Sequence, residues 1–127
     1  MTKSKDCNKL GVILGHQTFK DHKEVDELVI YKRNSDGKFD LECHIDFEFH
    51  DACDEFEFCH NDSNKLIFFT KTEVFKYIYK NEQREKPLYT YKKHLHEEPH
   101  FGIFNKDQTK FVVTTEQDVL YVDMKTG

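Results

Sequence analysis

The chain has no tryptophan and a single alanine, Ala52. Core volume must therefore come from Phe, Tyr, Ile, Leu and Val, which fit strands better than helices. Its five glycines are isolated, so it has no glycine-rich phosphate loop. Serine occurs only at Ser4, Ser35 and Ser63, each in a tail or a turn, which gives no footing to a nucleophilic triad. No apolar run approaches the length of a membrane span. The basic start, Met1-Thr2-Lys3-Ser4-Lys5-Asp6, has no long apolar stretch after it before His16, which argues against a secretory signal. Four cysteines in such a chain read as reduced thiols in the cytoplasm. Lys and Arg are scattered, with Lys32-Arg33 and Lys92-Lys93 the only adjacent basic pairs, and the net charge is −5. Both argue against nucleic acid as a partner.

What the chain does have is aromatic side chains, twelve Phe and six Tyr, too many for a disordered segment. Its 127 residues allow one domain. Within it one phrase recurs. Asp62-Ser63-Asn64-Lys65-Leu66-Ile67-Phe68 returns 45 residues later as Asp107-Gln108-Thr109-Lys110-Phe111-Val112-Val113. A third version opens the chain, Asp6-Cys7-Asn8-Lys9-Leu10-Gly11-Val12. Each is a polar turn feeding an apolar strand. Repeats of about 40–50 residues made of strands are the pattern of a β-propeller, one four-stranded blade per repeat.

The expected fold is all-β, a partial propeller of four-stranded antiparallel blades, with units of roughly 1–46, 47–93 and 94–127. In the middle unit Phe56-Glu57-Phe58-Cys59 alternates as an innermost strand, residues 66–69 and 74–79 follow, and Pro87 opens the outer strand after a charged loop at 81–86. The last unit repeats this in register: Phe101 matches Phe56, Ile103 matches Phe58, Thr115 matches Thr70 and Val119 matches Val74. The first unit has strands at 10–14, 28–31 and 39–43, a longer loop at 16–21, and a tight hairpin at Asp36-Gly37. Ten strands result, with the innermost strand of the first unit and the outermost of the last missing. Residues 21–28 are the one weak helix candidate.

The last unit resembles a tryptophan–aspartate repeat. Lys110-Phe111-Val112-Val113-Thr114-Thr115, a short turn, then Asp118-Val119-Leu120-Tyr121-Val122-Asp123-Met124-Lys125-Thr126-Gly127 is similar to that family's second and third strands. Val122 stands at the Trp position and Asp123 at the Asp position. The middle unit, Tyr77-Ile78-Tyr79, lacks the Asp, and the family's Gly-His pair is missing, with His50 and His96 near its place. The final strand also looks like one from quinoprotein-type propellers. The resemblance implies a non-catalytic scaffold that binds a protein or peptide. It also implies that Asp123 accepts backbone N–H bonds in a tight turn.

Several clusters could carry chemistry. Cys43-His44, His50, Cys53 and Cys59-His60 are potential zinc ligands, but none has the Cys-x₂-Cys spacing of a zinc knuckle. Cys43 shares a face with Leu41 and Phe39, as a buried thiol does. His94-x-His96, with His100 nearby, could bind a metal or form a solvated connection, or, as the resemblance implies, one of them could play the family's buried His role and hydrogen-bond an Asp. The acidic run Asp46, Glu48, Asp51, Asp54, Glu55 and Glu57 reads as a calcium site, a docking surface for a basic partner, or solvated faces of strands. The sequence thus points to a cytoplasmic protein-interaction scaffold with no catalytic residues, no cofactor, no metal and no membrane or nucleic-acid partner. The alternative is a quinoprotein-like enzyme segment that binds a cofactor or metal. Unclosed blades imply self-association through open faces, or membership in a longer propeller.

Overall fold

Aromatic and β-branched runs separated by Asx-rich turns form strands for simple reasons: the side chains suit a pleated surface, and the turn residues bond their own backbone. The computed structural model describes residues 1–20, 23–47, 55–91, 95, 97 and 99–125. Among them are eleven strands and no helix. Strands β1 (Thr2–Lys3), β2 (Lys9–Lys20), β3 (Lys23–Arg33) and β4 (Phe39–Phe47) form the first sheet. The middle sheet holds β5 (Phe56–Cys59), β6 (Asp62–Phe69), β7 (Glu73–Ile78) and β8 (Gln83–Thr90). The third holds β9 (Phe101–Phe104), β10 (Lys110–Thr114) and β11 (Val119–Asp123). Each is an antiparallel meander in chain order. The first strand of each sheet lies against the first strand of the next, β1 on β5 and β5 on β9.

The expected strand boundaries need four corrections. The first sheet does have an innermost strand: Thr2 pairs with Gly11 and Lys3 with Leu10. Two polar residues in a basic tail carry no periodic signal. Of the helix candidate, residues 23–28 are strand, because pairing across β2 and β4 overrides local propensity. Of the loop at 16–21, residues 16–20 continue β2 beyond a register shift between Leu14 and Thr18. The charged stretch from Gln83 begins β8. Its charges guard an exposed edge: Glu85 pairs with Lys65, and Arg84 pairs with Glu73 and lies 3.8 Å over the Phe75 ring. Pro87 sits between two register shifts, as a residue without an N–H must.

The turns share a bonding pattern. Asp6, Asp62 and Asp107 each accept the backbone N–H two residues on. Ser4 and Asn105 occupy the same place in the first and third turns. Each backbone N–H bonds the carbonyl of the coming lysine, and each side-chain oxygen accepts that lysine's N–H. Thr70 and Thr115 cap the following turns alike, with the hydroxyl accepting N–H groups two and three residues ahead. Gly37 has φ 81° in its hairpin, a conformation glycine adopts without strain.

The 45-residue register holds between second and third strands, where Leu66 pairs with Tyr77 and Phe111 with Val122. It slips by one residue in the first hairpin. Phe58 pairs with Leu66, but Phe104, not Ile103, pairs with Phe111. A bulge between Phe58 and Cys59 takes up the extra residue of the middle turn. Phe56 and Phe58 are therefore buried, while Phe101 and Ile103 face outward.

Two cores separate the three sheets. Leu28 and Ile30 of the first sheet pack on Phe56, Phe58, Leu66, Phe68, Phe75 and Tyr77 of the middle one. On the middle sheet's other face, Ile67, Phe69 and Val74 pack on Phe104, Phe111, Val113 and Val122. Gly102 makes this approach possible, since a Cβ there would overlap the Phe69 ring. The stack ends in two outward faces that carry exposed apolar side chains, although Val29 on the first is buried. Of the nine large apolar side chains that are exposed among the described residues, Leu14, Phe39 and Leu41 lie on the outer face of the first sheet. Phe101, Ile103, Val119 and Tyr121 lie on that of the third. The exposed apolar surface is thus concentrated at the two ends of the stack.

Candidate functional site

Polar chemistry gathers where the first strands and their turns meet. At the joint of first and middle sheets, Lys9 leaves its turn pointing into the stack and is buried. Its Nζ donates to Asn64 Oδ1 at 3.0 Å and to the Tyr79 hydroxyl at 2.7 Å, and stands 3.3 Å from Glu42 Oε2. Tyr79 donates to the same Glu42 oxygen at 2.9 Å, and Lys80 lies 3.4 Å from the other. Burial pushes the Glu42 carboxyl up, but the Tyr79 hydroxyl and the Lys9 ammonium outweigh it and hold it below its ordinary value. Burial and the Glu42 carboxylate push the Tyr79 hydroxyl far above its ordinary range, so it remains a donor. This is a paired and bonded charge cluster of the kind a fold retains to fix how two layers sit.

At the joint of middle and third sheets, charge is largely replaced by amides. Gln108, in the left-handed region at φ 56°, donates to the Phe58 carbonyl at 3.0 Å and accepts the His60 N–H at 2.9 Å. Glu57 Oε2 accepts the Phe104 N–H at 2.6 Å. Burial pushes the Glu57 carboxyl up, and the hydrogen bonds from Phe104 and Gln108 offset this only in part.

Beside the second joint runs a groove of about 340 Å³. Thr2 of β1, Phe56 and Glu57 of β5, and residues 101–104 of β9 line it, with Met1, Glu55 and His60. All three first strands contribute. A second recess of about 490 Å³ adjoins it, lined by residues of the first turn, Ser4 to Asp6, and by Cys59, His60 and Asn61. His60 borders both. The groove offers apolar walls with scattered donors and acceptors.

Among the described residues, the two cysteines of the zinc candidates do not converge. Cys43 does not share the face of Leu41 and Phe39 as expected: the register shift between Ile30 and Tyr31 turns it toward the first core, its thiol 4.0 Å from the Tyr79 carbonyl and pushed up by burial, whereas Cys59 is buried in the second core. The middle sheet stands between them. His50, Cys53, His94 and His96 lie outside the described residues, as do Glu48, Asp51 and Asp54 of the acidic run. His100 is exposed, 3.8 Å from Glu116. Glu55 and Glu57 reach the groove, and Glu57 is not solvated as an alternating strand face would have it. Asp46 stands opposite Glu27 across β3 and β4, and with His44 these place three donor atoms within 4.8 Å of one another. That is one donor short of a structural zinc site. Asp123 accepts the Lys125 N–H at 3.0 Å, with Lys110 3.9 Å away. As site residues Lys9, Glu42, Tyr79 and Gln108 carry no motif in the sequence. The recurrence of a lysine straight after each Asx turn, Lys9, Lys65 and Lys110, was the available signal.

No protein-family model, curated protein or solved structure matches the chain. Among the described residues no helix is long and apolar enough to cross a membrane.

Proposed function

We propose that the chain is part of a β-propeller of the tryptophan–aspartate kind and serves in the cytoplasm as a non-catalytic scaffold for a protein or peptide partner. The observation that carries this reading is the shared groove: three meander sheets stack in chain order, their first strands touch, and all three line one recess. First strands gathered around one line are what a propeller axis requires. The matching turns at Asp6 and Asp107, and at Thr70 and Thr115, support the repeat. Asp123 bonding its own turn supports the family. In this reading an extended peptide lies along the groove, held by Glu55 and His60 at its rim.

The test is a displayed peptide library selected on the immobilised chain. Enriched peptides should bind the wild type and lose at least about tenfold in affinity with His60→Glu or Glu55→Lys, the scale of a lost polar contact at a site. Leu88→Asp, on the outer strand β8, should bind as the wild type does. Peptides that bind all three variants equally, or a selection that enriches nothing, would overturn the reading.

A further inference from the structure

We propose that the two outward faces fit each other, so that two copies of the chain join head to tail. The third sheet of each would cover the first sheet of the other, twice over, to close a ring of six sheets.

The covered contact between first and middle sheets shows what the open face of the third sheet lacks. Lys110 stands on the third sheet where Lys9 stands on the first: each follows its Asx turn and approaches a carboxylate of its own sheet, Asp123 or Glu42. In the covered contact the next sheet completes the pair, with Tyr79 donating to Glu42. The counterpart of Tyr79 on the first sheet follows from register. Ile78 pairs with Lys65 and Lys32 with Lys9, and the next residues are Tyr79 and Arg33. Arg33 is exposed on the open face. In a head-to-tail pair it falls beside both Lys110 and Asp123 of the other copy, as Tyr79 lies beside Lys9 and Glu42, and its guanidinium pairs with the carboxylate where the internal contact has a hydroxyl.

The apolar surfaces correspond in the same way. Leu10, Val12 and Tyr31 hold the positions of Leu66, Phe68 and Tyr77, the row that the middle sheet turns toward the first. A second copy therefore offers the third sheet the kind of surface each sheet already accepts inside the stack. Leu41, 61% exposed, and Tyr121, 63% exposed, would be covered. A head-to-tail contact either closes or grows without end. Closure at six rests on the propeller reading, whose rings hold about four to eight blades. The contact uses the sheet faces and not the groove, so loss of peptide binding and loss of association are separate results.

Sedimentation equilibrium on the 127-residue chain tests this. The expected mass is that of two chains. Leu41→Asp and Tyr121→Asp should each raise the dissociation constant by at least about thirtyfold, the scale of a lost hot spot. Mixing the two variants should restore a dimer, because one intact contact remains. Circular dichroism of each variant shows whether it is folded. Arg33→Asp should weaken the dimer, and Arg33→Asp with Asp123→Arg should restore it. A monomer at all concentrations, growth beyond two chains, a mixture that stays monomeric, or a dimer indifferent to Arg33 would each overturn the proposal.

Discussion

The middle sheet meets its two neighbours by different means. Toward the first sheet it turns Phe68, flanked by the Phe56 ring at 5.7 Å and the Phe75 ring at 5.8 Å, onto aliphatic Leu28 and Ile30. Toward the third it turns Phe69 into a pair of rings, Phe104 at 5.4 Å and Phe111 at 5.6 Å, over a glycine. The polar borders differ as well, with Lys9, Glu42 and Tyr79 on one side and Gln108 and Glu57 on the other. Burial of rings supplies the cohesion on both sides. The polar groups then decide how each joint answers to charge.

The largest effects should come from the rings. Phe68→Ala and Phe69→Ala each remove a fully buried ring and leave a cavity, at a cost of about 3–5 kcal/mol. Urea unfolding should show both losses. If the joints are equal partners in one cooperative unit, the two midpoints fall together. A variant that unfolds in two steps would instead show that one joint opens alone.

Next in size is the charged border. Lys9→Ala leaves half-buried Glu42 with Lys80 as its remaining cation and the Tyr79 hydroxyl without a donor, and should cost about 2–3 kcal/mol. Gln108→Ala removes its bonds to the Phe58 carbonyl and the His60 N–H and its support of Glu57, and should cost about 1–2 kcal/mol. Equal losses in thermal melts would show that the two borders do not differ in kind.

Acid should separate the joints by sign. Glu42 is held below its ordinary value of 4.5 in the fold, so its contribution is present above that pH and fades as pH falls below it. Glu57 is held above 4.5, so its contribution is present below that pH and is lost as pH rises through the folded value. Acidification from neutrality thus relieves the second joint before it weakens the first. Stability measured against pH should lose its gain on mild acidification in Glu57→Gln and its loss at lower pH in Glu42→Gln. Curves parallel to the wild type in both variants would refute this assignment.

The contrast between the joints also marks what could be read in the sequence. Turns were legible because Asp6, Asp107, Thr70 and Thr115 bond backbone within three residues of themselves. Strands were legible wherever apolar residues ran or alternated over four or more positions. The two-residue β1 and the charged half of β8 gave no such pattern, since pairing with a neighbour alone makes them strands. The one-residue slip that puts Phe104 where Ile103 was expected arises from a bulge, which local composition does not announce. Lys9 and Tyr79 are 70 residues apart, and only stacking brings them together. The groove depends on the same stacking.

The smallest effect sharpens the comparison most. Asp123 is the third sheet's counterpart of Glu42, a carboxylate beside the lysine that follows the Asx turn. Glu42 is covered by a neighbouring sheet and Asp123 is not. Asp123 makes one backbone hydrogen bond, to the Lys125 N–H, and a long pairing with a half-exposed lysine. Asp123→Ala should therefore cost the isolated chain about 0.5–1 kcal/mol, the scale of a partly solvated hydrogen bond. Covering changes the expectation. If the third sheet docks on a second copy, Asp123 gains Arg33 as a partner away from water, and the loss grows as protein concentration rises. Melting Asp123→Ala and the wild type at dilute and at high concentration distinguishes the cases. A gap that widens with concentration identifies a covered carboxylate, and a constant gap identifies one that serves its own turn alone.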